Sequence, residues 1–145
     1  SGTDCVRWSR LLEAHRRPHA QNQLARRLVE HDVVTACLDL SDGLAGDLVH
    51  LIKASGVGAT VRLDKLPIAP ETIAAANTLS VDPLGWALSG GEDFELLFTT
   101  GSDVVESLLE TDCTEIGQIT SGETLTLIGA DGKVLKRNPS GFVHR

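Results

Sequence analysis

Asp39-Leu40-Ser41-Asp42-Gly43-Leu44 places two carboxylates and a hydroxyl close together in the chain. The apolar, β-branched run Val33-Val34-Thr35-Ala36-Cys37-Leu38 leads into them, and a helical pattern leads out. Where a strand ends and a helix begins, backbone N–H groups and a positive helix end gather, and phosphates and metal ions bind at such places. Ser and Asp are also favoured helix caps, each contributing roughly 1 kcal/mol. Asp39 fits the cap reading least well. It stands at the end of an apolar strand, where an unpaired carboxylate is costly. A metal ion or cationic partner resolves that cost, and Mg²⁺ favours a few carboxylates together with ligand phosphate oxygens. The residues alone leave both readings open, a cap or a site.

A second cluster is Ser89-Gly90-Gly91-Glu92-Asp93. The glycine pair lets the backbone approach a ligand closely, and the acids behind it could hold a metal or accept hydrogen bonds from a ligand amine. The plainer reading is a surface turn before a strand. Phe142, in a chain with three Phe, two Trp and no Tyr, either pins the tail to the core or stacks on a ring-bearing ligand. His15-Arg16-Arg17-Pro18-His19 is a basic patch, either a solvated linker or an anion contact. P-loop, GxGxxG, GxSxG and His-rich metal spacings do not occur.

The elements that must position these residues follow from periodicity. Residues 1–32 are expected to be helical and broken at Pro18. Residues 33–40 are continuously apolar, as in a strand covered on both faces, with Cys37 in the core. Leu44, Leu48, Leu51 and Ile52 mark an amphipathic helix with Asp47, His50 and Lys53 towards its wet side and Gly56 at its end. Residues 59–63 form the next strand, completing a βαβ-like unit in which the sequence does not fix whether the strands are parallel. Short helices are expected over 71–79, with Pro70 in the first turn, and from an Asp82-Pro83 start to Leu88. Residues 94–99 read as a strand and 102–110 as a helix. Strands at 116–119 and 125–128, then a turn at Asp131-Gly132 and a return through 133–135, complete the pattern.

The 145 residues are 41% hydrophobic and 23% charged, as in a soluble globular domain. The expected fold class is α/β (α+β), a mixed β-sheet covered by helices. Two segments are expected, a helical linker over 1–32 and a domain over 33–145. The net charge of −7 speaks against nucleic acid as a partner, and no run reaches membrane-spanning length. Cys5, Cys37 and Cys113 show no metal spacing, which fits reduced thiols in a cytoplasmic protein.

Several pieces occur together in one family. Asp39-Leu40-Ser41-Asp42-Gly43-Leu44, then Lys53-Ala54-Ser55-Gly56-Val57-Gly58-Ala59, Leu66-Pro67-Ile68, the run Ala87-Leu88-Ser89-Gly90-Gly91-Glu92-Asp93-Phe94-Glu95-Leu96-Leu97-Phe98-Thr99, Ile116-Gly117-Gln118-Ile119 and Gly141-Phe142-Val143-His144 stand in this order. Over residues 16–145 the chain resembles the C-terminal half of thiamine-monophosphate kinase, of the aminoimidazole ribonucleotide (AIR) synthetase superfamily. The resemblance implies ATP- and Mg²⁺-dependent phosphoryl transfer to thiamine monophosphate, giving thiamine diphosphate. It implies Asp39 and Asp42 as Mg²⁺ ligands, Ser41 facing ATP, Glu92 in the thiamine-side pocket, and Phe142 packing on the substrate ring. Arg145 departs from the family's usual closing Phe. The resemblance also implies that the family's N-terminal half, with its own metal and nucleotide motif and the homodimer contact, lies outside this chain. A fragment of a longer enzyme, without appreciable kinase activity alone, is the expectation. Rival readings are the related hydrogenase-maturation dehydratase, which would end in a functional cysteine, selenophosphate synthetase, which has no good match to the run at 89–99, and a non-catalytic nucleotide- or protein-binding module.

Overall fold

The structure, a computed structural model, describes residues 8–30, 32–102 and 113–136. Helices α1 (Ser9–Arg16) and α2 (Asn22–Glu30) flank the break at Pro18. Strand β1 (Val34–Asp39) runs into the site loop and helix α3 (Leu44–Ser55) leaves it. Then come β2 (Gly58–Arg62), a 3-10 turn (Leu63–Lys65), α4 (Pro70–Leu79), α5 (Pro83–Ser89), β3 (Leu96–Thr100), β4 (Gly117–Thr120), β5 (Leu125–Ile128) and β6 (Val134–Lys136). The expected helix over 102–110 falls almost wholly outside the described residues.

Local chemistry sets the element ends. Pro70 opens α4, where its missing N–H is no loss. The Asp82 carboxylate caps α5 by accepting the Leu84 N–H at 3.0 Å. Strands β5 and β6 form an antiparallel hairpin about Asp131-Gly132, closed by the Gly129 N–H on the Lys133 carbonyl at 2.9 Å.

The strands form two sheets. One is the antiparallel pair β1–β3; the other has the order β4-β2-β5-β6, with β2 parallel to β5 and antiparallel to β4. Helix α3 lies against both. Its Leu44, Ala45, Leu48, Leu51 and Ile52 form one core with Ala59 and Val61 of β2, Leu125 and Leu127 of β5, and Leu88 of α5. Ala36 and Leu38 of β1 pack against the same core.

This arrangement confirms a mixed fold of helices on sheet and corrects three expectations. The strand–helix–strand run over 33–63 is not a βαβ unit, because β1 and β2 belong to different sheets. β1 is not covered on both faces: Val34, Ala36 and Leu38 are half-buried, while Thr35, Cys37 and Asp39 alternate with them on an exposed face. Cys37 is therefore not a core residue. Among the described residues one side of β1 is left exposed, and alternation is what a half-covered strand shows.

Ile52 is fully buried (0% exposed) at the centre of the helix–sheet contact. Ile52→Ala removes its burial and leaves a cavity, so a loss of ~2–5 kcal/mol is expected, read as a lower urea midpoint with an unchanged slope.

Candidate functional site

The β1–β3 ladder does not stop where the strands do. Asp39 pairs with Leu96 in register. Beyond it, the Leu40 N–H bonds to the Glu95 carbonyl at 2.9 Å, the Phe94 N–H to the Leu40 carbonyl at 2.8 Å, and the Glu92 N–H to the Ser41 carbonyl at 2.9 Å. These bonds join the loop at 40–43 to the loop at 90–95. Ser41, Asp42 and Glu92, far apart in sequence, thus share one end of the small sheet.

Two glycines permit the contact. Gly91 has φ +67°, and a Cβ there would stand 2.6 Å from the Ser41 carbonyl oxygen. Gly43 has φ +94°, and its Cβ would meet the Ser89 Cα at 2.7 Å. Neither position admits a side chain without backbone movement. Glu92 (φ 60°) and Phe94 (φ 53°) also take left-handed conformations without being glycine. Such residues cost on the order of 1–3 kcal/mol each and persist where surrounding bonds over-determine them; here the bonds are those to Ser41 and Leu40. This irregular stretch is why β3 begins at Leu96 rather than at Phe94.

Asp47 corrects another expectation. It is not on the wet side of α3 but 4% exposed. Its Oδ2 accepts the Ser41 N–H at 2.9 Å and the Asp42 N–H at 3.0 Å. A signal was available: Asp47 is three residues after Leu44 and four before Leu51, so helical spacing puts it beside the apolar stripe.

Asp39, Ser41, Asp42 and Glu92 are all exposed. Asp39 is no isolated carboxylate in an apolar strand end, since its side of β1 is open. The carboxylates of Asp39 and Asp42 make no hydrogen bond or ion pair with any described residue. Among the described residues, no three His, Cys, Asp or Glu side chains gather as a complete metal site. The basic patch ends α1 beside this region: His15 Nδ1 stands 3.9 Å from Glu92 Oε2, and Gln21 Nε2 donates to Glu95 at 3.1 Å. Phe142 lies outside the described residues.

Two groups here hold their protons more tightly than usual. Asp93 is exposed as a residue, yet part of its carboxyl is shielded from water, and that desolvation raises its pKa. Partial desolvation, and secondarily the Asp39 carboxylate, push the Cys37 thiol up. Cys37 is thus poorly disposed to react as a thiolate.

A two-stranded sheet ending in paired acidic loops, backed by a helix shared with a mixed four-stranded sheet, defines the class. Residues 9–130 match the family described as AIR synthase related protein, C-terminal domain, and the chain belongs to that family. Curated relatives that it matches include thiamine-monophosphate kinases. The chain is 35% identical over 134 residues to that of Aquifex aeolicus, covering 92% of this chain and 41% of the relative. It is 38% identical over 144 residues to that of Escherichia coli (strain K12), covering 92% and 42%. A solved structure, AaThiL complexed with AMPPCP and TMP, superposes with a TM-score of 0.77 at 33% identity, over 88% of this chain and 39% of that one. The thiamine-monophosphate kinase of Stenotrophomonas maltophilia K279a gives 0.76 at 32%, over 88% and 40%. E. coli HypE, a hydrogenase maturation protein, shares the fold with a TM-score of 0.64 at 21% identity, over 80% and 38%. The chain spans about two fifths of the length of the curated relatives it matches, as the 41% and 42% coverages show.

Gly91→Ala forces the two loops apart and imposes a left-handed alanine. A loss of ~1–3 kcal/mol is expected, measured by chemical denaturation. For Asp93 the folded pKa lies above the unfolded one, so the native state binds the proton more tightly and stability falls as pH rises through that window. Asp93→Asn therefore raises the melting temperature at pH 7, and the gain fades as the pH drops below ~3.9, the ordinary carboxylate value.

Proposed function

We propose that this chain supplies the C-terminal share of an ATP- and Mg²⁺-dependent kinase that converts thiamine monophosphate to thiamine diphosphate. The observation that carries this reading is the backbone bonding of the Ser41–Asp42 loop to the Gly91–Glu92 loop. It brings a hydroxyl and acids from both loops to one open end of the sheet. The names of the relatives supply the ligands: thiamine monophosphate from the kinases, and AMPPCP and TMP from the complex.

The residues fit Mg²⁺ as a shared ligand. Asp39 and Asp42 are exposed carboxylates without a described cationic partner, and two carboxylates leave room for phosphate oxygens and water. The loop ahead of the helix supplies a second reason for a metal. The Ser41 and Asp42 amides, just before the Gly43 cap, are already donated to Asp47. Phosphate is then better held through a cation than through these amides. When bound, Mg²⁺ neutralises phosphate charge and helps align the transfer. The Ser41 hydroxyl hydrogen-bonds the nucleotide, Glu92 accepts from the thiamine side, and Phe142 stacks on its ring. None of these side chains need act as a nucleophile, consistent with direct transfer between substrates.

In this reading a second part of the enzyme completes both pockets and makes a homodimer, and the working protein is cytoplasmic. The 145-residue chain alone is expected to bind ATP weakly and only with Mg²⁺, and to form no appreciable diphosphate. Calorimetry checks this: binding should vanish with EDTA and fall at least ~10-fold in Asp39→Ala, as when a charge partner is lost. Metal-independent binding, or binding indifferent to Asp39→Ala, would count against the kinase reading. Robust turnover by the purified chain would overturn the expectation of inactivity.

A further inference from the structure

We infer that Asp47 is a positioning residue for the nucleotide–metal end of the site, acting through the backbone of Ser41 and Asp42. The inference rests on the kinase reading above and assigns within it a residue that touches no ligand.

Asp47 sits in the first turns of α3 and is the single charged residue among the described residues buried to 4% exposure. A carboxylate so placed is costly unless its charge is answered. The answer here is local. One oxygen, Oδ2, accepts both the Ser41 and the Asp42 N–H, at 2.9 and 3.0 Å. No buried side-chain polar atom lacks a partner among the described residues. The two amides belong to the two residues proposed to face nucleotide and metal. The peptide unit joining them is held from both directions: the Asp42 N–H by Asp47, and the Ser41 carbonyl by the Glu92 N–H. Fixing this stretch of backbone fixes where the Ser41 hydroxyl and the Asp42 carboxylate leave the chain.

The geometry separates position from charge. Because both amides converge on one oxygen, the amide oxygen of asparagine can take its place with the charge removed, whereas alanine removes the acceptor. Asp47→Ala should therefore weaken Mg²⁺-dependent ATP binding by at least ~10-fold, the scale of a lost charged hydrogen bond. Asp47→Asn should stay within ~3-fold of the original chain, since one good acceptor remains. Binding is read by calorimetry, and melting temperature is recorded for every variant. Asp47→Ala binding like the original chain, or Asp47→Asn falling as far as Asp47→Ala, would overturn the inference.

Should Asp47→Ala not fold, the unmodified chain and Asp47→Asn still decide the matter by NMR. Slow exchange of the Ser41 and Asp42 amides, with through-hydrogen-bond coupling of both to the Asp47 carboxyl carbon, is expected. Amides that exchange as freely as solvent-exposed ones would refute the positioning role. A chain with those protected amides but no Mg²⁺-dependent ATP binding would instead defeat the kinase reading, so the two failures are distinguishable.

Discussion

The carboxylate of Asp47, buried beneath the loop it holds, is the contact on which the site end of the molecule depends. Two loop amides just ahead of a helix need acceptors, and a buried carboxylate needs donors. Each need is met by the other, about five residues apart in the chain. Hydrogen bonds to a charged group contribute roughly 1.5–3 kcal/mol each, enough to hold a loop that strain would otherwise release. With residues 41–42 fixed, the Ser41 carbonyl is aimed at Glu92 and the second loop can close on the first.

The rest of the site follows from that closure. The left-handed backbone at Glu92 and Phe94 is tolerated because their N–H groups reach the Ser41 and Leu40 carbonyls. Gly91 and Gly43 have no side chain where the loops come closest. Asp39 and Asp42 are exposed and have no partner among the described residues, so this surface presents charge that a bound cation would stabilise. Internal satisfaction and outward binding capacity are divided between Asp47 and its neighbours Asp39 and Asp42.

Much of the fold was legible along the chain because its signals are local. Pro70, Asp82-Pro83, Gly56 and Asp131-Gly132 each mark an element end through the backbone chemistry of a few residues, and each end stands where that chemistry puts it. The kinship of the motif at 39–44 and the run at 87–99 was legible for the same reason. What failed was whatever depended on partners. Cys37 looked like core because an apolar run does not say how many layers cover it. Asp47 looked wet because it is charged, although its helical position lay beside the apolar stripe. The βαβ reading failed because sheet membership is decided by pairing with β3, β4 and β5, all distant in sequence. The meeting of Ser41 with Glu92 was likewise invisible to spacing, being made by backbone atoms.

Helix α3 begins at the loop carrying Asp42 and lies with its flank between the two sheets. It is a shared wall: its first turns close the site, and the same turns supply Leu44, Ala45 and Leu48 to the core. Stiffness at the ligand end is therefore borrowed from the packing of the four-stranded sheet, which reaches the ligand end through this helix. Selection for a well-filled interior and selection for a well-aimed carboxylate then act on one segment, and sequence drift in the distant strands is limited by what α3 can absorb without turning.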